Sequence, residues 1–240
     1  MTLYRLAHTL IGLLILFSAS SAWAQRIQPM TYELAPLGAK SSTVISVQNT
    51  SARDVAFEVS AKKMFIDAEG NETRQLSEDD FLLFPPQFLL SAGKTQAVRV
   101  KYIGDPTIKN SVPYRIAVAQ LPLASEDVES AAVGMRFVFN TLAHVTPKSA
   151  KVDPQVTKIT ENPDGTWAIK IVNHGQKMAR LSRRGWRVTD GSKTTTFSSK
   201  EVSSMLKKSL VMPGKSINVT IPAIEGFKAE ATSIGIHVRP

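Results

Sequence analysis

Phe81-Leu82-Leu83-Phe84-Pro85-Pro86-Gln87-Phe88 reads as a strand that cannot run straight through a sheet. Each proline fixes φ and removes a ladder donor, so Pro85-Pro86 has no place in a central strand. The expected outcome is a strand that breaks here and resumes in a different sheet. Downstream, Ser91-Ala92-Gly93-Lys94 reads as a turn. Thr95–Tyr102 then alternates, with Val98, Val100 and Tyr102 on one face and Arg99 and Lys101 on the other.

Working outward, the same period of two recurs. Pro29–Leu34, Ser42–Gln48 and Val55–Met64 read as strands, the last with Val55, Phe57 and Val59 on one face. Asp67–Asp80 is charged and reads as a hairpin tip or long loop around Glu69-Gly70-Asn71. Pro113–Leu121 places Tyr114, Ile116 and Val118 together, with Arg115 on the opposite face. Further on, Thr166–Val172, Leu181–Val188, Ser216–Ile221 and Ser233–Val238 read as strands, and only Lys200–Lys208 offers helical turns. Short strands with turn signals at roughly 8–12-residue spacing predict an all-β fold of sandwiches rather than alternating α/β units.

Val133–Pro147 is expected to be one long strand. Val133, Met135, Phe137 and Phe139 occupy its odd positions, behind an acidic loop at Ala124–Ala131. A strand greasy on one face at the end of a domain is an aggregation hazard unless something covers it. The expected cover is a partner protein. A basic linker with two prolines follows, which divides the chain into a domain at 25–147, a linker at 148–154 and a domain at 155–240.

The first 24 residues read as a cleavable signal peptide: Arg5, an apolar run at Leu10–Phe17, then Ala22-Trp23-Ala24. No later stretch is apolar enough for a membrane helix, so a soluble exported protein is expected. With no cysteine, two domains must be held by their cores, and thiol chemistry is excluded. The net charge of +9 is lopsided, with 12 Lys and Arg against 13 Asp and Glu over 25–147 but 16 against 7 over 148–240. Export argues against nucleic acid as the basic half's partner. His144, His174 and His237 have no partner at metal-ligand spacing, and Gly214-Lys215-Ser216 lacks the first glycine of a phosphate loop. Neither enzyme chemistry, nor a metal, nor a cofactor is expected.

Together these features resemble the PapD-like periplasmic chaperones of the chaperone–usher pathway, which assemble fimbriae. The resemblance is carried by the signal peptide, the two similar halves, the run Phe84-Pro85-Pro86-Gln87 through Val98-Arg99-Val100, and Leu210–Ser216. It implies two immunoglobulin-like β-sandwich domains set at an angle around a cleft. By implication, Val133, Met135, Phe137 and Phe139 form a donor strand that completes a fimbrial subunit's fold, and an outer-membrane usher then receives the complex. The common family places a basic pair in the first strand and late in the donor strand. Here Met30-Thr31-Tyr32 and Thr141-Leu142-Ala143 stand near those places, so the chain looks closer to the archaic or alternate branch. On that likeness Arg99 and Arg115 anchor the subunit's C-terminal carboxylate, with Lys101 and Arg26 in reserve. An exposed donor strand can also self-pair. The alternative reading is a secreted two-domain structural protein, a fimbrial subunit or adhesin.

Overall fold

The computed structural model describes residues 25–122, 136–191 and 193–237. Val133 and Met135, the acidic loop and the signal segment lie outside them.

Ten strands build the first domain: β1 (Arg26–Gln28), β2 (Thr31–Leu34), β3 (Ser42–Gln48), β4 (Val55–Ile66), β5 (Glu72–Leu76), β6 (Phe81–Phe84), β7 (Gln87–Leu90), β8 (Thr95–Tyr102), β9 (Val112–Leu121) and β10 (Val138–Val145). One sheet runs β1-β3-β8-β6; the other runs β2-β10-β9-β4-β5, with β7 also paired to β4. Two of the passages from one sheet to the other, between β1 and β2 and between β6 and β7, fall at a cis-proline: Pro29 and Pro85. The second change is the one that the Phe81–Phe88 run predicts. Ile45, Val47, Val98 and Val100 from one sheet meet Phe57, Tyr114, Ile116 and Val118 from the other in a buried core.

The second domain comprises β11 (Pro154–Glu161), β12 (Trp167–Asn173), β13 (Ala179–Arg180), β14 (Gly185–Asp190), β15 (Lys193–Phe197), helix α1 (Ser199–Met205), β16 (Leu210–Val211), β17 (Ser216–Ile221) and β18 (Ser233–His237). Its ladders are β11-β12-β17, β15-β14-β18 and the short pair β13-β16. Trp167 and Trp186 are both enclosed in its core. A capping box starts α1: Ser198 Oγ accepts from Glu201 N, while the Glu201 carboxylate accepts from Ser198 N at 2.7 Å.

Leu181–Val188 is not one strand, as its sequence predicts. Leu181–Arg183 forms a 3-10 turn and β14 begins only at Gly185, because Leu181 is drawn into the core while Arg183 stays exposed. Strand β11 was not expected at all. Its apolar residues Val156 and Ile159 are three apart, which breaks the period of two. A register shift between Val156 and Lys158 restores it, setting them opposite Ile171 and Ile169.

Several contacts join the two domains. Met64, Leu142 and Met178 form a buried cluster, with Ile66, Leu210 and Met212 packed against it. Buried Ser111 receives the Met178 N–H on its hydroxyl at 2.7 Å and donates its own N–H to Gln176 O at 2.7 Å. The tip of the β4–β5 hairpin docks on the second domain: Asn218 N donates to Ala68 O at 2.8 Å, and Lys208 Nζ donates to Glu69 O and Asn71 Oδ1, both at 2.7 Å. Leu142, standing where the resemblance places a family lysine, is thus part of the joint.

Candidate functional site: an open strand edge leading into a cationic cleft

Two observations fix the parity of β10. Gln120 N–H donates to Phe137 O at 3.0 Å, and Leu142 N–H donates to Met30 O at 2.9 Å. Odd residues therefore exchange backbone bonds with β9, and even residues turn theirs toward the β2 side. Strand β2 covers only Leu142–Val145. The backbone groups of Val138 and Asn140 consequently face an edge that no strand covers among the described residues.

Along this edge the odd side chains change environment. Ala143 and Val145 belong to the first domain's core, Phe139 is packed partly against it, and Phe137 emerges at 46% exposure. The two phenylalanine rings lie 6.5 Å apart, inclined by 28°. Thr141 is buried; its hydroxyl accepts from Tyr32 OH at 3.1 Å and donates to Ile116 O at 3.2 Å. Of the expected donor residues the structure therefore places Phe137 and Phe139 on one face at the open end of β10.

Toward its C-terminal end, β10 runs into a cleft of about 530 Å³ between the domains. Thr31, Glu33 and His144 line it from the first domain, and Lys177, Arg180, Arg183 and Arg184 from the second. Thr31 and Glu33 stand directly beside Leu142 and His144 in the β2–β10 register. Lys177 Nζ spans the cleft to Glu33 Oε2 at 2.7 Å. Arg115, paired with Leu142 across the β9–β10 ladder, turns a bidentate fork to Glu72. Burial pushes the Glu72 carboxyl up, but hydrogen bonds from Arg115 and Arg74 outweigh it and hold it below its ordinary value. The His144 imidazole is pushed down to about 4, first by burial and then by Arg180, Lys177, Arg115 and Arg183. It is neutral at pH 7. The arrangement has the chemistry of an anion receptor at the end of an open strand edge.

The expected pairing of Arg99 with Arg115 is corrected. Arg99 lies on β8 and Arg115 on β9, in different sheets of the same sandwich. Their neighbours Val98, Val100, Tyr114 and Ile116 meet in the shared core, so the two guanidiniums leave from opposite outer faces. Facing sheets lie roughly 10 Å apart, and one carboxylate cannot reach both. Arg99 stands between Val44 and Phe84 in register, and Lys101 between Ser42 and Leu82, on the face away from the cleft. Arg26 is exposed on the same sheet. Arg115 alone of the four lies near the cleft. The sequence reading missed Lys177, Arg180, Arg183 and Arg184, although Arg180-Leu181-Ser182-Arg183-Arg184 is the densest arginine run in the basic half.

Residues 33–145 match the family of pili and flagellar-assembly chaperones, PapD N-terminal domain. No curated protein matches the chain. Solved structures share the two-domain fold. The class 5 fimbriae chaperone CfaA superposes with a TM-score of 0.59 at 15% identity, covering 90% of this chain and 100% of its own. The CsuC–CsuE chaperone–tip adhesion subunit complex, from the archaic chaperone–usher Csu pili of Acinetobacter baumannii, contains a chain that gives 0.58 at 16% identity, covering 89% and 97%. The Salmonella enterica SafA pilin–SafB chaperone complex gives 0.55 at 16%, covering 85% and 87%. The chain therefore has the two-domain fold of the PapD-like chaperones, and residues 33–145 match the model of that family's N-terminal domain.

Proposed function

We propose that this protein is a periplasmic chaperone that binds fimbrial subunits by strand donation. The observation that carries the reading is the uncovered edge of β10 at Val138–Thr141, which leads into a cleft lined by arginines. A client lacking its last strand would add its own edge to Val138 and Asn140. Phe137 and Phe139, with Val133 and Met135 upstream, would fill its apolar groove. Main-chain bonds hold any strand, while the side chains select a groove that fits them. The client's C-terminal carboxylate would enter the cleft, where Arg180 and Arg183 can form charge-assisted bonds that set the register. Arg115 reinforces the positive field from behind His144.

Capped in this way, a subunit stays folded and cannot pair with another through the same groove. Delivery to an outer-membrane usher, where a neighbouring subunit's extension replaces the donor strand, completes the proposed cycle. Co-expression with candidate fimbrial subunits tests the reading. Met135→Asp with Phe137→Asp should abolish co-purification and lower subunit levels. Unchanged recovery would remove strand donation by this segment.

A further inference from the structure

The charges of the cleft do not balance. Five cations stand in it or behind it: Lys177, Arg180, Arg183, Arg184 and Arg115. Two carboxylates answer them, Glu33 on Lys177 and Glu72 on Arg115. Arg180, Arg183 and Arg184 have no carboxylate partner among the described residues. Arg180 and Arg184 are half-buried, and burial pulls both guanidiniums below their ordinary range, helped at Arg180 by Arg183 and Arg115. Cations withdrawn from water without counter-charges are costly. Their concentration around one cavity marks the place where an anion belongs.

A single chain-terminal carboxylate is too small an answer. It brings one negative charge and can engage one guanidinium bidentately, which leaves two arginines uncompensated. It also occupies only about 60 Å³, roughly two water volumes, in a cavity of about 530 Å³.

We propose that the cleft is built for a doubly anionic chain end: a C-terminal carboxylate together with an aspartate or glutamate side chain in the last three residues of the client. This rests on the carboxylate-anchor reading above and narrows the class of client it accepts.

Short fluorescent peptides with one common alternating Val/Thr body test it on the full mature chain. Four of them end in a free acid or an amide, each with Asp or Asn at the penultimate position. A fifth carries the Asp in mid-peptide with a free acid end. At low salt the free acid with penultimate Asp should bind about tenfold more tightly than its Asn counterpart. That gap should shrink to about twofold in Arg180→Gln or Arg183→Gln.

Equal binding of the two free acids, both above the amides, overturns the second charge and leaves the anchor standing. An equal gain from the mid-peptide Asp also overturns it, since the effect is then general attraction. Free acids no better than amides, or no binding by any peptide, remove the anchor reading and this inference with it. His144 gives a readout that needs no variant. It faces Arg180, Lys177, Arg115 and Arg183, with Glu33 alongside. Its titration midpoint should rise further with the Asp-ended than with the Asn-ended free acid, and an equal rise would count against the second charge.

Discussion

Lys177 Nζ lies 2.7 Å from Glu33 Oε2, joining the two domains across the mouth of the cleft. This contact neutralises the only carboxylate that lines the cavity among the described residues, so the remaining cations there are free for a client.

Replacing Glu33 should therefore separate stability from binding. Both partners are substantially exposed, and such pairs contribute about 0.2–1 kcal/mol. Glu33→Gln should leave the unfolding midpoint nearly unchanged. It should tighten binding of an anionic client tail at low salt by up to about fivefold, read by fluorescence titration. Weaker binding would mean that Glu33 itself contacts the client.

His144 predicts an acid-sensitive joint. Its ordinary midpoint near 6.5 is pushed down to about 4 in the folded protein, chiefly by burial. The unfolded chain thus takes up a proton between these values that the folded chain refuses. The stability contributed by neutral His144 is complete above about pH 6.5 and falls as the pH drops toward 4, by on the order of 3 kcal/mol. Urea unfolding of wild type and His144→Asn at pH 7.5 and pH 4.5 checks this. The variant should lose part of the pH slope, and an identical slope would refute the assignment.

Leu142 is buried between Met64 and Met178 at the joint. Leu142→Ala should cost about 2–5 kcal/mol through the cavity it leaves. Leu142→Lys, which restores the residue type of the common family, should cost more, because a charge would be set among methionines. Calorimetry should show the two domains melting in separate transitions rather than together.

The hairpin tip of the first domain is clamped to the second by Lys208 and Asn218. Gly70 has a φ of 74°, and a Cβ there would come within 2.7 Å of Lys208 Cδ. Gly70→Ala should cost about 1–3 kcal/mol in backbone strain and displace the Lys208 clamp. Small-angle scattering should report a broader distribution of interdomain distances than in wild type, with client binding weakened in proportion.

Much of this fold was legible because its strands carry their own punctuation. Ser42–Gln48, Thr95–Tyr102 and Ser216–Ile221 match their predicted ends residue for residue. The last two alternate cleanly, and each follows a glycine of positive φ, Gly93 and Gly214. Strand β11 was hidden by its bulge, where Val156 and Ile159 share a face despite their odd spacing. The cleft was hidden by distance along the chain, since Glu33 and Lys177 are 144 residues apart. Arg99 and Arg115 look equivalent in sequence, each exposed on an alternating strand. Only the sheet order shows that they leave the sandwich on opposite sides.

The central claim is that the β2-facing edge of β10 is vacant until a client strand occupies it. Amide hydrogen exchange, compared between the free protein and its complex with a co-expressed fimbrial subunit, tests this residue by residue. Phe139 and Thr141, bonded to β9, should be protected in both states. Val138 and Asn140 should exchange rapidly in the free protein and become protected in the complex. If Val138 and Asn140 exchange equally fast in both, the client does not bind by adding a strand here.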